Sequence, residues 1–136
     1  MEKHIIYIGM GSNVSSAVRI LLWARRKLRA SFGSMVHFSK PVLTDPIDYP
    51  YPDKFLNQVG AIVTDKPLLV VESLLKSFEV HMRTTRPSTE GQVVLDLDLL
   101  WVDGTVMRPS DWERPYIQEG VAELHKWVKL ADSVTN

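Results

Sequence analysis

The sequence predicts an α+β fold, a mainly antiparallel sheet with helices on one face, from three observations. β-rich and helix-patterned segments follow one another as strand, helix, strand, strand, helix, strand. Two of those segments carry apolar residues at helical spacing along a whole stripe. The chain has 136 residues and no cysteine, enough for one core built without disulfides or thiolate metal sites, so residues 1–136 are expected to form a single domain.

Residues 4–10 are β-branched and aromatic and run into Gly9 and Gly11, a strand entering a turn. Ser12-Asn13 then offers a helix cap. Over residues 15–30, Val18, Leu21, Leu22, Ala24 and Leu28 mark a buried stripe, and Gly33 ends the helix. Residues 34–39 have short-strand character. Residues 40–54 contain Pro41, Pro46, Pro50 and Pro52 and are expected to be a long irregular loop of functional interest.

Residues 55–63 read as the next strand. Pro67 is placed to open a helix whose stripe is Leu68, Val71, Leu74, Leu75 and Phe78. A polar loop over residues 83–91 leads to the apolar strand 93–101, and Asp103-Gly104 makes a turn. A short helix is expected over residues 118–130, with Val121, Leu124 and Val128 on one side. The element order is that of a ferredoxin-like αβ sandwich, which by itself assigns no function.

Sixteen basic residues balance sixteen acidic ones, so no global field favours nucleic acid, and an anionic ligand must be held locally. The apolar segment 5–10 is too short for a signal core or a membrane span, and absence of cysteine suits a reducing compartment; a cytoplasmic location without membrane attachment is expected. His4, His37, His81 and His125 lack the close pairing of a histidine metal site. Arg25-Arg26-Lys27 with Arg29 reads as a solvated helix face. An RNA-binding module would need stacking aromatics that the strands do not show.

Strand alternation puts Asp96 and Asp98 on one face with Val94 and Leu100, and Leu95, Leu97, Leu99 and Trp101 on the other. At about 3.3 Å rise per residue the two Cα atoms lie roughly 6.6 Å apart. Carboxylates at that spacing converge on a hard cation such as magnesium, whose other positions go to water and phosphate. The plainer reading is an amphipathic strand showing two aspartates to solvent. Aspartate is, however, disfavoured in strands, and like charges on one face repel.

Three segments, Tyr7-Ile8-Gly9-Met10-Gly11-Ser12-Asn13, Phe55-Leu56-Asn57 and Gly91-Gln92-Val93-Val94-Leu95-Asp96-Leu97-Asp98-Leu99-Leu100, resemble in order and spacing the 6-hydroxymethyl-7,8-dihydropterin pyrophosphokinases. That family moves pyrophosphate from ATP to a pterin alcohol in folate biosynthesis. The resemblance covers about residues 4–117 and implies the ferredoxin-like fold. It implies that Asp96 and Asp98 bind two Mg2+ ions against the ATP phosphates. It also puts Asn57 in hydrogen bonds to the pterin, Phe55 in stacking on it, Gly9 and Glu79 at the substrate site, and Arg83 and Arg86 in a loop of catalytic arginines. Core packing is the other reading of Phe55.

The chain departs from the family where cations are expected. Gln92, Val93 and Val94 replace a proline-arginine-threonine run, Tyr116 stands where a histidine follows the proline, and no basic residue occupies the region of Ala122. A tryptophan of the arginine loop and a carboxy-terminal segment bearing a pterin-covering aromatic have no counterpart. Lys40, Lys54 and Arg114 are candidate replacements for the lost cations. The alternative to catalysis is a degenerate pterin- or nucleotide-binding protein on the same fold.

Overall fold

Alternation along the first strand sets the architecture, because Ile6, Ile8 and Met10 point to one face and Tyr7, Gly9 and Gly11 to the other. The protein, a computed structural model, is described over residues 2–47 and 49–134; residues 1, 48 and 135–136 of the expected domain lie outside that range. Strand β1 (His4–Ser12) pairs antiparallel with β4 (Phe55–Thr64) on one side and β5 (Asp96–Val102) on the other. β2 (Val36–Phe38) and β3 (Val42–Thr44) both pair with β4, and β6 (Thr105–Val106) pairs with β5. The sheet order is β2-β4-β1-β5-β6, the ferredoxin-like arrangement when β2 and β3 count as one edge strand.

That edge strand is broken for a local reason. Pairing runs from Val36↔Ile62 to Phe38↔Gly60 and resumes with one extra residue at Val42↔Asn57. Within the break, Pro41 has no N–H to give. Ser39 holds the ladder instead: its N–H donates to Val59 O at 2.9 Å, and its Oγ accepts the Val59 N–H at 2.9 Å. Residues 40–54 are therefore not wholly irregular, since β3 lies among them.

Helices α1 (Ala17–Phe32) and α2 (Leu68–Thr85) cover the face bearing Ile6, Ile8, Met10 and Ile62. Their buried stripes are Ala17, Ile20, Leu21, Ala24, Leu28 and Phe32, and Val71, Leu75 and Met82. Val18, expected on the first stripe, is instead 69% exposed because it lies about 100° around the helix from Ala17, off the side that Ala17, Leu21, Ala24 and Leu28 turn to the sheet. Each buried leucine or isoleucine contributes about 1.5–3 kcal/mol relative to exposure.

The expectation of helices on one face is corrected by the chain after β6. Here α3 (Pro109–Trp112) and α4 (Pro115–Val134) cross to the opposite face. The short helix foreseen over residues 118–130 is 20 residues long, opening on a proline that suits a first turn. Its Ile117, Leu124 and Val128 pack on Tyr7, Val59, Ala61 and Leu100. Among the described residues no helix is long and apolar enough to cross a membrane.

Gly120 sets how closely α4 approaches the sheet, since a Cβ there would lie 2.5 Å from Val59 Cγ2 and 2.9 Å from Val59 Cβ. Gly120→Ala should therefore lower stability although alanine is the better helix former. Overpacking of about 1–3 kcal/mol outweighs a propensity gain of about 1 kcal/mol. A melting temperature several degrees lower is expected; an unchanged or higher one would show that the helix can move away at little cost.

Candidate active site

The site begins as bare backbone. Gly9 faces Asp98 and Gly11 faces Asp96 across the β1–β5 pairing, while Gly11 also faces Asn57 on β4. A Cβ on Gly11 would come within 3.2 Å of Asn57 Oδ1, and one on Gly9 within 3.4 Å of Leu100 Cδ1. The absent side chains leave a cleft of about 220 Å³ on this face, lined by Gly9, Asn57, Phe55, Asp96, Asp98 and Arg108 among others.

The strand carrying the aspartates differs from expectation at both ends. It starts at Asp96, not at residue 93, because Asn13 ties down the preceding backbone. The Asn13 Oδ1 accepts the Val93 N–H at 2.6 Å, its Nδ2 donates to Gly91 O at 2.8 Å, and its own N–H donates to Val93 O at 3.1 Å. Asn13 is thus a loop clamp and no cap to α1, whose amino end shows no side-chain cap. At the other end, a register shift between Tyr7 and Ile8 leaves Leu100 as an extra residue. Trp101, expected on the face away from the aspartates, therefore joins their face and packs on Tyr7 with ring centroids 5.5 Å apart.

Asp96 and Asp98 are joined by Glu79 of α2. Carboxylate oxygens of the three lie within 4.8 Å of one another. Glu79 accepts the Leu97 N–H at 2.8 Å where β5 has no outer neighbour, which fixes a helix side chain beside the strand pair. Burial pushes the Asp98 carboxyl up to about 7, with the Asp96 charge and the hydrogen bond to Asp96 adding to it. Asp96, though exposed at the cleft mouth, is raised as well, by burial first and also by the Glu79 charge, against the hydrogen bond from Asp98. Three carboxylates clustered within 4.8 Å are the donor set a hard divalent cation fits, and oxygen-only ligation suits Mg2+.

Positive charge enters from the segment after β6. Arg108 Nε donates to Asp111 Oδ2 at 2.6 Å and its Nη1 lies 3.8 Å from Asp98 Oδ1. Arg114 Nη2 lies 3.2 Å from Asp111 Oδ1, and its Nη1 is 3.4 Å from the Tyr116 hydroxyl. The opposite wall is aromatic: Tyr49 meets Phe55 edge to face at 5.6 Å and donates its hydroxyl hydrogen to Gly91 O at 2.8 Å. Asn57 Nδ2 donates to Thr44 Oγ1 at 2.6 Å, leaving an amide edge on the cleft beside the ring of Phe55.

The structure therefore brings Gly9, Phe55, Asn57, Asp96 and Asp98 to one cleft, with Glu79 beside the carboxylate pair. It does not bring Arg83 and Arg86 there. Both are exposed at the carboxyl end of α2, where Arg86 Nη1 is 3.4 Å from Ser16 Oγ. Of the three candidate replacement cations only Arg114 lines the cleft; Lys54 pairs with Asp45 at 3.5 Å. Arg108 and Asp111 escaped the sequence reading, although three charges spaced by three, Arg108, Asp111 and Arg114, are a legible ion-pair pattern at a helix start.

Residues 7–126 match the family of 7,8-dihydro-6-hydroxymethylpterin-pyrophosphokinases. The chain belongs to this family. Relatives from two strains of Porphyromonas gingivalis, each named 2-amino-4-hydroxy-6-hydroxymethyldihydropteridine pyrophosphokinase, are 21% identical over 136 aligned positions, covering 91% of this chain and 92% of theirs. At that identity the chain is a divergent pyrophosphokinase-family member, consistent with the substitutions at residues 92–94 and 116.

The carboxylate cluster generates a pH-dependent expectation. A group raised from its ordinary value of 3.8 to about 7 on folding stabilises the metal-free protein fully below its unfolded value, and that contribution is lost as pH rises through the folded value. Millimolar Mg2+ should therefore raise the melting temperature more near pH 8, where Asp98 is ionised, than near pH 5. Asp98→Asn should abolish most of that difference. Equal Mg2+ shifts at both pH values would contradict a cation site at these carboxylates.

Proposed function

We propose that this protein transfers pyrophosphate from ATP to 6-hydroxymethyl-7,8-dihydropterin, with Mg2+ held by Asp96 and Asp98. The observation that carries the reading is the cleft itself, which sets a clustered carboxylate pair beside an amide and an aromatic ring on one sheet face. Family membership supplies the reaction class. Two magnesium ions on Asp96 and Asp98, with Glu79 adjacent, neutralise the phosphate chain when bound.

The chain's own groups account for the remainder. Phe55 presents a ring for the pterin to stack on, and Tyr49 holds that ring from its edge. Asn57, oriented by Thr44, supplies an amide to the heterocycle's polar edge. In the reaction the hydroxymethyl oxygen forms a bond to the β-phosphorus, the bridge between the α- and β-phosphates breaks, AMP leaves and the hydroxyl proton passes to solvent. Such a step requires positioning and charge neutralisation more than covalent help from the protein. Arg83, in the last turn of α2, and Arg86, at its carboxyl cap, are proposed to act from that end of the helix, and a reaction drawing on ATP and Mg2+ fits the cytoplasm.

Purified protein given ATP, Mg2+ and the pterin alcohol should release AMP. Asp96→Ala and Asp98→Ala should each reduce the rate by at least about 100-fold, as loss of roughly 3 kcal/mol of transition-state charge stabilisation implies. No AMP above the level of these variants would overturn the reading. The position of Arg83 and Arg86 away from the cleft favours one alternative, a non-catalytic pterin- or nucleotide-binding protein. That reading is distinguished by saturable ligand binding without turnover.

A further inference from the structure

Two guanidinium groups converge on a single carboxylate at the mouth of the cleft. Asp111 accepts from Arg108 Nε at 2.6 Å and faces Arg114 Nη2 at 3.2 Å, so one carboxylate gathers two guanidinium groups on the cleft wall. An ordinary ion pair at a helix start contributes about 0–1 kcal/mol and has no need of a second arginine. The surroundings here are not those of a surface pair. Asp111 and Arg114 are only 21% and 28% exposed, and both arginines line the same cleft as the metal-type carboxylates.

Arg108 is held by its Nε while its Nη1 reaches to 3.8 Å from Asp98, close enough for charge attraction but beyond hydrogen-bond range. A guanidinium fixed through one nitrogen keeps its remaining N–H fork for a second acceptor, and phosphate oxygens match that fork. Residues 92–94, immediately before β5, offer no such group, since they are Gln92, Val93 and Val94, and Arg86 at the start of that loop does not line the cleft.

We infer that Arg108 and Arg114, gathered by Asp111, bind the terminal phosphates of the nucleotide in place of the arginine missing before β5, and that Asp111 is their positioning residue. This rests on the proposed nucleotide-dependent function. Asp111 sets the distance between the two cations, and the carboxylates at the floor of the cleft set which part of the phosphate chain reaches them. Phosphates drawn to a cation on Asp96 and Asp98 lie next to Arg108, so the β- and γ-phosphates are the groups it meets.

The test is calorimetric titration of the intact protein with α,β-methylene-ATP and, separately, AMP, both with Mg2+. Arg108→Gln and Arg114→Gln should each lower the ratio of α,β-methylene-ATP to AMP affinity by about tenfold or more, the loss expected for one charge-assisted phosphate contact. Arg114→Lys should recover part of that loss. Asp111→Asn should lower the ratio less than either glutamine variant, while leaving AMP affinity unchanged. Arg108 is 51% exposed, so its substitution leaves packing intact, and matching melting curves check this.

An unchanged affinity ratio in both glutamine variants would overturn this inference alone if the unsubstituted protein binds α,β-methylene-ATP and, given ATP, Mg2+ and the pterin alcohol, releases AMP. Failure of the unsubstituted protein to bind α,β-methylene-ATP would overturn the proposed function and this inference with it.

Discussion

A one-residue slip of β5 against β1 would turn Asp96 and Asp98 into the core and bring Leu97 and Leu99 into the cleft, because side chains alternate with a period of two. The pairings Gly9↔Asp98 and Gly11↔Asp96 are thus the constraint on which the site depends. The same central strand pairs Gly11 with Asn57 and Gly9 with Val59, so a single register aligns three strands around the space that Gly9 and Gly11 leave open. That register is secured from the other face, where Ile6, Ile8 and Met10 are almost wholly buried under α1 and α2. Core packing and site geometry are two consequences of one strand's alternation.

Electrostatics then separate the cleft into zones. Asp96 and Asp98, with Glu79 beside them, gather negative charge at the floor, and burial together with neighbouring carboxylate charge raises both aspartates. Arg108 and Arg114 stand on the adjoining wall, joined through Asp111. Without a cation the floor would repel a polyphosphate; with one it would draw the phosphates toward the arginines. Opposite them, Phe55, Tyr49 and Asn57 form a flat, partly polar surface suited to a heterocycle.

Much of this was legible in the sequence because it rests on local periodicity. The β-branched and aromatic run at residues 4–10, the helical stripes and the Asp-Leu-Asp spacing place the first strand, two helices and the carboxylate pair. The bulge at Leu100 was not legible, since an apolar run such as Leu97, Leu99, Leu100, Trp101 fits either face on either side of an extra residue. Nor was the reach of α4. Pro115 reads as a loop residue and Gly120 as a weak helix position, yet one opens the helix and the other allows its contact with Val59. Asn13 looked like a cap because caps and loop clamps use the same side-chain chemistry, and only the fold brings Val93 within its reach. Glu79 and Arg108 meet Asp98 from distant elements, a proximity that spacing alone does not encode.

The central claim is that the carboxylate floor binds a divalent cation and through it the nucleotide. The most direct measurement is the affinity of the protein for α,β-methylene-ATP by titration calorimetry, with Mg2+ and again with a chelator. The account predicts binding that depends on Mg2+ and weakens by at least about tenfold when the metal is removed, each factor of ten being about 1.4 kcal/mol. Equal affinity in the two conditions would contradict it.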